Sequence, residues 1–476
     1  MKILFAGAEC APFIKTGGLG DVLGALPNRL AKDGDEVGVI LPLYQDISAE
    51  YRQKMKYEGN FIVPVGWRNQ YCGIFSLKER GVKYFFVDNE YYFKRPGVYG
   101  YYDDGERFAF FQQAVIMMME RFNFIPDILH CNDYHTAFIP FLLKEKWGFV
   151  DTYRHIKTVL TIHNLEFQGK YNPDTLPDFF SLDYDWFDSG IVRQGHDVNW
   201  MKAGILYANE VTTVSPTYAK EIQTPEYGCD LDGILRMCSD KVRGILNGID
   251  YEKYNPVTDP AIKFNYDAQH LNKKVKNKLA LQKELGLPEA KGIPLIGMVS
   301  RLTAQKGCKL LIEELDNLLK FDVQVVILGN GDPNYETQLQ EIANNHPDKM
   351  KLILAFDVKL AQRIYAGADS FLMPSAFEPC GLSQLISLHY GTLPIVHEIG
   401  GLADTVWIYN EVKNEGTGFG FREFSGYEMM QAIKRMLGVY SQKDKWKKMQ
   451  KTAMESDFSW RNSAKKYQEM YRNLIN

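Results

Sequence analysis

Lys15-Thr16-Gly17-Gly18-Leu19-Gly20-Asp21 lies between an apolar run, Ile3 to Ala8, and a helix-patterned run, Val22 to Ala31. Strand, glycine loop and helix in that order make the start of an α/β unit. Gly17 and Gly18 let backbone N–H groups approach an anion with no Cβ in the way. The helix start adds a partial positive charge, and Lys15 adds a full one. The segment predicts a phosphate socket of the kind that takes a sugar diphosphate. Taken alone, a loop like this also reads as a tight strand-to-helix turn.

The same grammar returns near residue 300. Ile293 to Val299 is apolar, Ser300-Arg301-Leu302-Thr303-Ala304-Gln305-Lys306-Gly307 is a basic loop, Leu310 to Leu319 has helical periodicity, and Val323 to Leu328 closes a βαβ unit. In open parallel sheets ligands bind beyond the carboxyl ends of the strands. Both basic loops are therefore expected at sheet tops. If the two sheets face each other, Lys15, Arg301 and Lys306 converge on one cleft and balance a diphosphate without a metal.

At 476 residues, 45% hydrophobic and 13% aromatic, the chain is long enough for more than one core, since single cores stop growing at roughly 250 to 300 residues. With 55 basic and 59 acidic residues the formal charge is −4, which gives no electrostatic reason to expect nucleic acid or an anionic membrane as partner. Seven dispersed cysteines, Cys10, Cys72, Cys131, Cys229, Cys238, Cys308 and Cys380, lack metal-ligand spacing. They point to a reducing, cytoplasmic compartment. The apolar start, Met1 to Ala8, imitates a secretion signal, but Glu9 ends it, and a first strand is the better account.

Further buried-strand candidates are Val37 to Leu41, Tyr84 to Val87, Ile128 to His130, Thr158 to Ile162, Val211 to Val214 and Val242 to Leu246. Ser215-Pro216 opens a helix, with serine as cap and proline in the first turn. Asn247-Gly248 marks a turn, and the hinge between domains falls at about Gly244 to Tyr251. Near the end, Trp460, Ala464, Tyr467, Met470, Tyr471 and Leu474 share one helix face.

Two strand tips carry imidazoles: His163-Asn164 after Thr158 to Ile162, and His130-Cys131-Asn132-Asp133-Tyr134-His135. Each reads as a site residue or as a structural hydrogen bonder. Phe377-Glu378-Pro379-Cys380-Gly381-Leu382-Ser383 follows the apolar Ser370 to Met373, so Glu378 sits at a strand end, placed to bind sugar hydroxyls or to partner a helix dipole. Asp183-Tyr184-Asp185 and Asp230-Leu231-Asp232 read as solvated acids and not as metal ligands. The aromatic run Tyr91 to Tyr102 either stacks on sugar rings or packs on itself.

With these motifs in order, the chain resembles the bacterial glycogen synthase and starch synthase family from end to end. The resemblance rests on Lys15 to Asp21, His163-Asn164-Leu165 with Gln168-Gly169, Ser300-Arg301 with Gln305-Lys306-Gly307, Glu378-Pro379-Cys380-Gly381-Leu382, and Gly400-Gly401-Leu402-Ala403-Asp404-Thr405-Val406. It implies the GT-B architecture: two Rossmann-like domains facing across a deep cleft, with the last helix crossing back to the first domain. The expected boundaries are 1–245 for an acceptor (glucan) domain, 246–455 for a nucleotide-sugar donor domain, and 456–476 for the closing helix.

The resemblance further implies transfer of glucose from ADP-glucose to the nonreducing 4-hydroxyl of an α-1,4-glucan, with retention and with no cofactor or metal. Arg301 and Lys306 would hold the diphosphate with Gly17, Gly18 and their amides, and Lys15 would touch the phosphates and the acceptor side. Asp21 and Asn247 would line the donor site. His163, beside Asn164, would hydrogen-bond the transferred glucose; Glu378, Cys380, Gly381 and Leu382 would line the sugar pocket, and Asp133 would face the acceptor. Phe356 takes the place of a nucleobase-stacking tyrosine, and Ile386 that of a second glutamate. Phe167, Tyr134 and Asn132 likewise replace the more usual tyrosine, tryptophan and histidine. Two rival readings remain at this stage. One is a nicotinamide dehydrogenase, whose glycine fingerprint is imperfect at Gly18 to Leu23 and at Gly329 to Asn334. The other is a nonenzymatic glucan binder.

Overall fold

Runs of apolar residues too continuous to alternate become strands buried on both faces, as parallel sheets require. The computed structural model describes residues 1–476. The chain divides into two compact units, Met1–Asn247 with Trp460–Asn476, and Gly248–Ser459.

The first unit contains β1 (Lys2–Ala6), β2 (Glu36–Pro42), β3 (Lys56–Val65), β4 (Arg68–Glu79), β5 (Val82–Asp88), β6 (Ile128–Asn132) and β7 (Lys157–Ile162). Then follow β8 (Lys170–Tyr171), β9 (Arg193–Gln194), β10 (Asp197–Asn199), β11 (Glu210–Thr213) and β12 (Val242–Gly244). Its main sheet has nine strands in the order β12-β11-β7-β6-β1-β2-β5-β4-β3, and β8, β9 and β10 form a small separate sheet. From β12 to β5 every pairing is parallel. The β3–β4 hairpin adds antiparallel strands at one edge. From β1 the chain builds toward β2 and β5, then returns to lay β6, β7, β11 and β12 on the other side. The order reverses between β1 and β6, which is where such sheets leave a crevice.

The second unit contains β13 (Leu295–Val299), β14 (Gln324–Leu328), β15 (Met350–Ile353), β16 (Ser370–Met373), β17 (Leu393–His397) and β18 (Phe419–Phe421). They form one all-parallel sheet in the order β15-β14-β13-β16-β17-β18. Its reversal point lies between β13 and β16. Apolar side chains fill both faces, among them Ile296, Ile327, Leu372 and Ile395 on one and Phe371, Val396 and Tyr390 on the other. Both units are Rossmann-like α/β folds.

Some expected ends shift. β1 stops at Ala6 and β12 at Gly244. The first helix, Gly18–Lys32, starts inside the glycine loop and not at Val22, with Gly17 extended as its N-cap. Ser215 caps its short helix by accepting the Tyr218 N–H at 3.1 Å. The last helix, Trp460–Ile475, buries Trp460, Ala464, Tyr467, Met470 and Tyr471 within the first unit, while Leu474 is half-buried. No helix is long and apolar enough to cross a membrane.

Candidate active site

In the first unit the loop after β1 meets the loop after β6 at the reversal point. Glu9, 3% exposed, lies just past the end of β1 and has left water, so its carboxylate needs donors. It takes the backbone N–H of Thr16, that of Gly17 at 3.1 Å, the Thr16 hydroxyl at 3.1 Å and the Tyr99 hydroxyl at 3.2 Å. The Gly17 amide, expected to receive an external anion, is thus satisfied from inside together with that of Thr16. The open amides begin at Gly18. A Cβ added at Gly18 would meet nothing within 4 Å, so neither packing nor backbone conformation demands glycine there. Lys15 Nζ pairs with Asp21 at 2.6 Å, both partly exposed.

The tip of β6 turns through Asp133, whose φ of 55° is rare for a residue with a side chain. The Asp133 carboxylate accepts the His163 backbone N–H at 2.8 Å, and also that of Asn164. Burial pushes this carboxyl up to about 7, the nearby Glu9 charge adding to the shift and the two backbone bonds opposing it. Asp133 therefore fastens the loop after β7. His163 Nε2 lies 3.0 Å from Asn132 Oδ1, and burial lowers its pKa to about 3, so the ring is neutral. His130 has a different fate. It is buried within the sheet, with Nδ1 2.6 Å from the Tyr471 hydroxyl and Nε2 2.5 Å from Thr161 Oγ1.

Beside this tip, Tyr134, Glu166, Phe167, Gln168, Gly169, Lys170 and Tyr171 line a cavity of about 320 Å³. The aromatic run resolves into mostly packing: Tyr92 and Phe93 are buried and Tyr99 stacks on His135 at 4.7 Å, leaving Tyr91 and Tyr102 exposed. Asn247, 6% exposed, has an Oδ1 with no protein partner.

In the second unit the loops after β13 and β16 meet at the other reversal point. Lys306 Nζ donates to Glu378 at 2.5 Å, and Ser375 Oγ donates to the same carboxylate oxygen at 3.0 Å. The Ala376 N–H reaches Gln305 O at 2.8 Å. Gly307, φ +74°, is required: a Cβ there would stand 1.9 Å from Pro374 O. Arg301 is exposed, with no acidic partner. Cys380 lies against the start of the helix Gly400–Thr405, where a Cβ at Gly401 would stand 2.1 Å from Cys380 O and the Gly401 N–H bonds Glu378 O at 3.0 Å; Gly381 follows with φ +71°. Leu382 precedes the helix Ser383–His389. Phe356, beyond the carboxyl end of β15, is 86% exposed.

Glu9, Tyr99 and Ser375 escape a motif search. The one available signal was Glu9 itself, an acid at the end of a buried strand and close before a glycine pair. The dehydrogenase fingerprint at Gly329 to Asn334 has an internal explanation: a Cβ at Gly329 would stand 1.8 Å from Ser300 O, and the Gly331 N–H is taken by Glu336 at 2.7 Å. No group of three His, Cys, Asp or Glu side chains converges to hold a metal. Asp232 pairs with Arg236 at 2.6 Å.

Residues 2–237 match the family model of the starch synthase catalytic domain, and residues 280–453 match that of the group 1 glycosyl transferases. Over the full length of both chains the protein is 77% identical to the glycogen synthase of Lactobacillus acidophilus and 60% identical to that of Ligilactobacillus salivarius. Among solved structures, the catalytic domain of starch synthase IV from Arabidopsis thaliana, bound to ADP and acarbose, superposes with a TM-score of 0.91 at 33% identity, covering 99% of each chain. A sucrose-phosphate synthase from Thermosynechococcus elongatus, 16% identical with a TM-score of 0.64, shares the fold. The chain belongs to the glycogen synthase and starch synthase family of glycosyltransferases.

Proposed function

We propose that the protein moves glucose from ADP-glucose to the nonreducing 4-hydroxyl of an α-1,4-glucan, with retention at the anomeric carbon and without a metal. The N-terminal unit serves the acceptor and the C-terminal unit the donor. Arg301 and Lys306 neutralise the diphosphate, helped by Lys15 and the amides from Gly18 onward. Asp21 and Asn247 line the donor site, and Phe356 stacks on the base. His163 and Asn164 contact the transferred sugar; Glu378, Cys380, Gly381 and Leu382 form its pocket; Asp133 orders the acceptor side. The ADP carried by the Arabidopsis starch synthase domain supports the choice of base. Seven cysteines without a disulfide fit a cytoplasmic enzyme.

One observation carries the mechanism. Retention by double displacement uses a carboxylate nucleophile paired with a second acid about 5 to 5.5 Å away, whereas the side-chain partners of Glu378 are Lys306 at 2.5 Å and Ser375 at 3.0 Å, neither of them an acid. That supports front-face substitution. The bond from the anomeric carbon to the phosphate oxygen breaks, and its electron pair goes to the diphosphate. The acceptor oxygen bonds the same face, and its proton passes to the departing phosphate oxygen. Cationic side chains stabilise charge that grows on the leaving group.

Labelled ADP-glucose and glycogen, with the new linkage read by NMR, test the reading. Retained α-linkage is expected, with full activity in EDTA and slower turnover on UDP-glucose. Lys306→Ala should lower kcat by about 10²- to 10³-fold while glucan affinity changes little. Equal small losses in both would count against the mechanism. Faster use of UDP-glucose would overturn the donor.

A further inference from the structure

The imidazole of His163 has one ring nitrogen facing a protein partner, and which nitrogen carries the proton follows from that partner. Asn132 is 1% exposed at the end of β6. Its Nδ2 donates to Ala6 O at 3.1 Å and to His130 O at 3.2 Å. A rotated carboxamide would set Oδ1 against two carbonyl oxygens and leave both amide hydrogens without those acceptors. The orientation is therefore fixed, and Oδ1, 3.0 Å from His163 Nε2, can only accept. The neutral ring then carries its hydrogen on Nε2. Nδ1 has no protein partner and is not among the buried unpaired atoms, so its lone pair is open.

We propose that Asn132 is a positioning residue that holds His163 as the Nε2–H tautomer, so that the Nδ1 lone pair accepts a hydrogen bond from a hydroxyl of the transferred sugar. The role rests on the functional reading above; the tautomer does not. The geometry is tightly set from both sides. Asp133 holds the His163 backbone N–H at 2.8 Å, and the Asn132 backbone N–H donates to Thr136 Oγ1 at 2.6 Å. Backbone and ring of His163 are thus fastened by consecutive residues of one turn. A sugar hydroxyl finds an acceptor at this position, whereas the opposite tautomer would present a donor.

The test is nitrogen NMR on ¹⁵N-histidine-labelled protein, with His163→Gln used to assign the signal, alongside steady-state kinetics. In the unaltered protein the His163 pair should show protonated Nε2 and bare Nδ1 from pH 5.5 to 8. Asn132→Leu removes the acceptor: the signals should move toward a tautomer mixture, and kcat should fall by about ten-fold or more with donor KM within about two-fold. Asn132→Asp keeps an acceptor toward His163 but sets its other oxygen against the carbonyls of Ala6 and His130, so the Nε2–H signature should return with only part of kcat, and with an acid limb in the pH profile as the carboxylate raises the ring's pKa. Protonated Nδ1 in the unaltered protein overturns the proposal, whether or not either variant folds. An Asn132→Leu enzyme that keeps the full Nε2–H signature, or that loses no kcat, overturns it too. If ADP-glucose and UDP-glucose are both inert with the unaltered enzyme, the functional reading fails, while the spectrum still decides the tautomer.

Discussion

Gly18 is glycine without an internal reason: its backbone is not left-handed and a methyl group would touch nothing. Gly18→Ala should therefore fold with an unfolding temperature unchanged within about 1 °C. Its methyl would occupy the space where the first open amides receive phosphate, raising donor KM by about ten-fold or more, a gap of at least roughly 1.4 kcal/mol. Unchanged donor kinetics in a stable Gly18→Ala enzyme would remove this loop from the donor site. Asp133 makes a pH prediction. Its folded pKa is about 7 against an ordinary value of 3.8, so the native state binds more protons between those values, and stability falls as pH rises through that window. Asp133→Asn cannot ionise. Its stability relative to the unaltered protein should rise between pH 5 and pH 8, as followed by denaturant unfolding. A difference flat across that range would mean that the carboxyl is not held protonated. Neither residue's role was legible from type alone, because an aspartate at a strand tip reads equally as a ligand and as a tether.

At the scale of elements, what is buried on both faces was legible and what depends on partners was not. β1, β2, β6, β7, β13, β14 and β16 announce themselves as apolar runs because parallel strands have no solvent face. The β3–β4 hairpin does not, since its edge carries exposed Tyr57, Ile62 and Tyr71 among polar residues and blurs any period of two. β8, β9 and β10, two or three residues each, are too short for a period at all. The placing of both candidate sites follows from strand order. Each lies where the sheet reverses, beside β1 and β6 in one unit and β13 and β16 in the other. Sequence reading found the loops but not what shapes them, because Glu9 acts through donors several residues away. A carboxylate bonded to two loop amides is charge-assisted and roughly twice as strong as a neutral pair. Glu9→Gln should loosen the loop and lower kcat/KM for the donor by about ten- to hundred-fold, measured with glycogen saturating. Activity within about two-fold of the unaltered enzyme would reduce Glu9 to packing.

Over the whole molecule, the notable economy is that the last helix completes the first unit. Trp460–Ile475 brings Tyr471, fully buried, to 2.6 Å from His130 Nδ1. It also brings Gln468 Nε2 to 2.8 Å from Asp35 and Ser463 Oγ to 2.5 Å from Leu246 O. The His130 ring continues through Thr161 to Thr212 Oγ1, 2.5 Å further on, so the last helix is hydrogen-bonded into the centre of the sheet at β6, the strand that ends in Asn132. Periodicity foretold this helix and its apolar face but named no partner for it, since the face of one helix says nothing about which sheet covers it. Tyr471→Phe keeps the ring and removes one hydroxyl, leaving a buried imidazole nitrogen unpaired at a cost of about 1 to 3 kcal/mol. A chain with two units need not unfold in one step. The loss should therefore appear selectively in the transition that exposes Trp200, fully buried in the first unit, as a fall of roughly 2 to 10 °C, with the other unit's transition unmoved. Lys466→Ala, on the exposed side of the same helix, is the control and should move neither. If Tyr471→Phe also left both transitions in place, the buried relay from the last helix through His130 would contribute nothing, and the helix would hold by its apolar face alone.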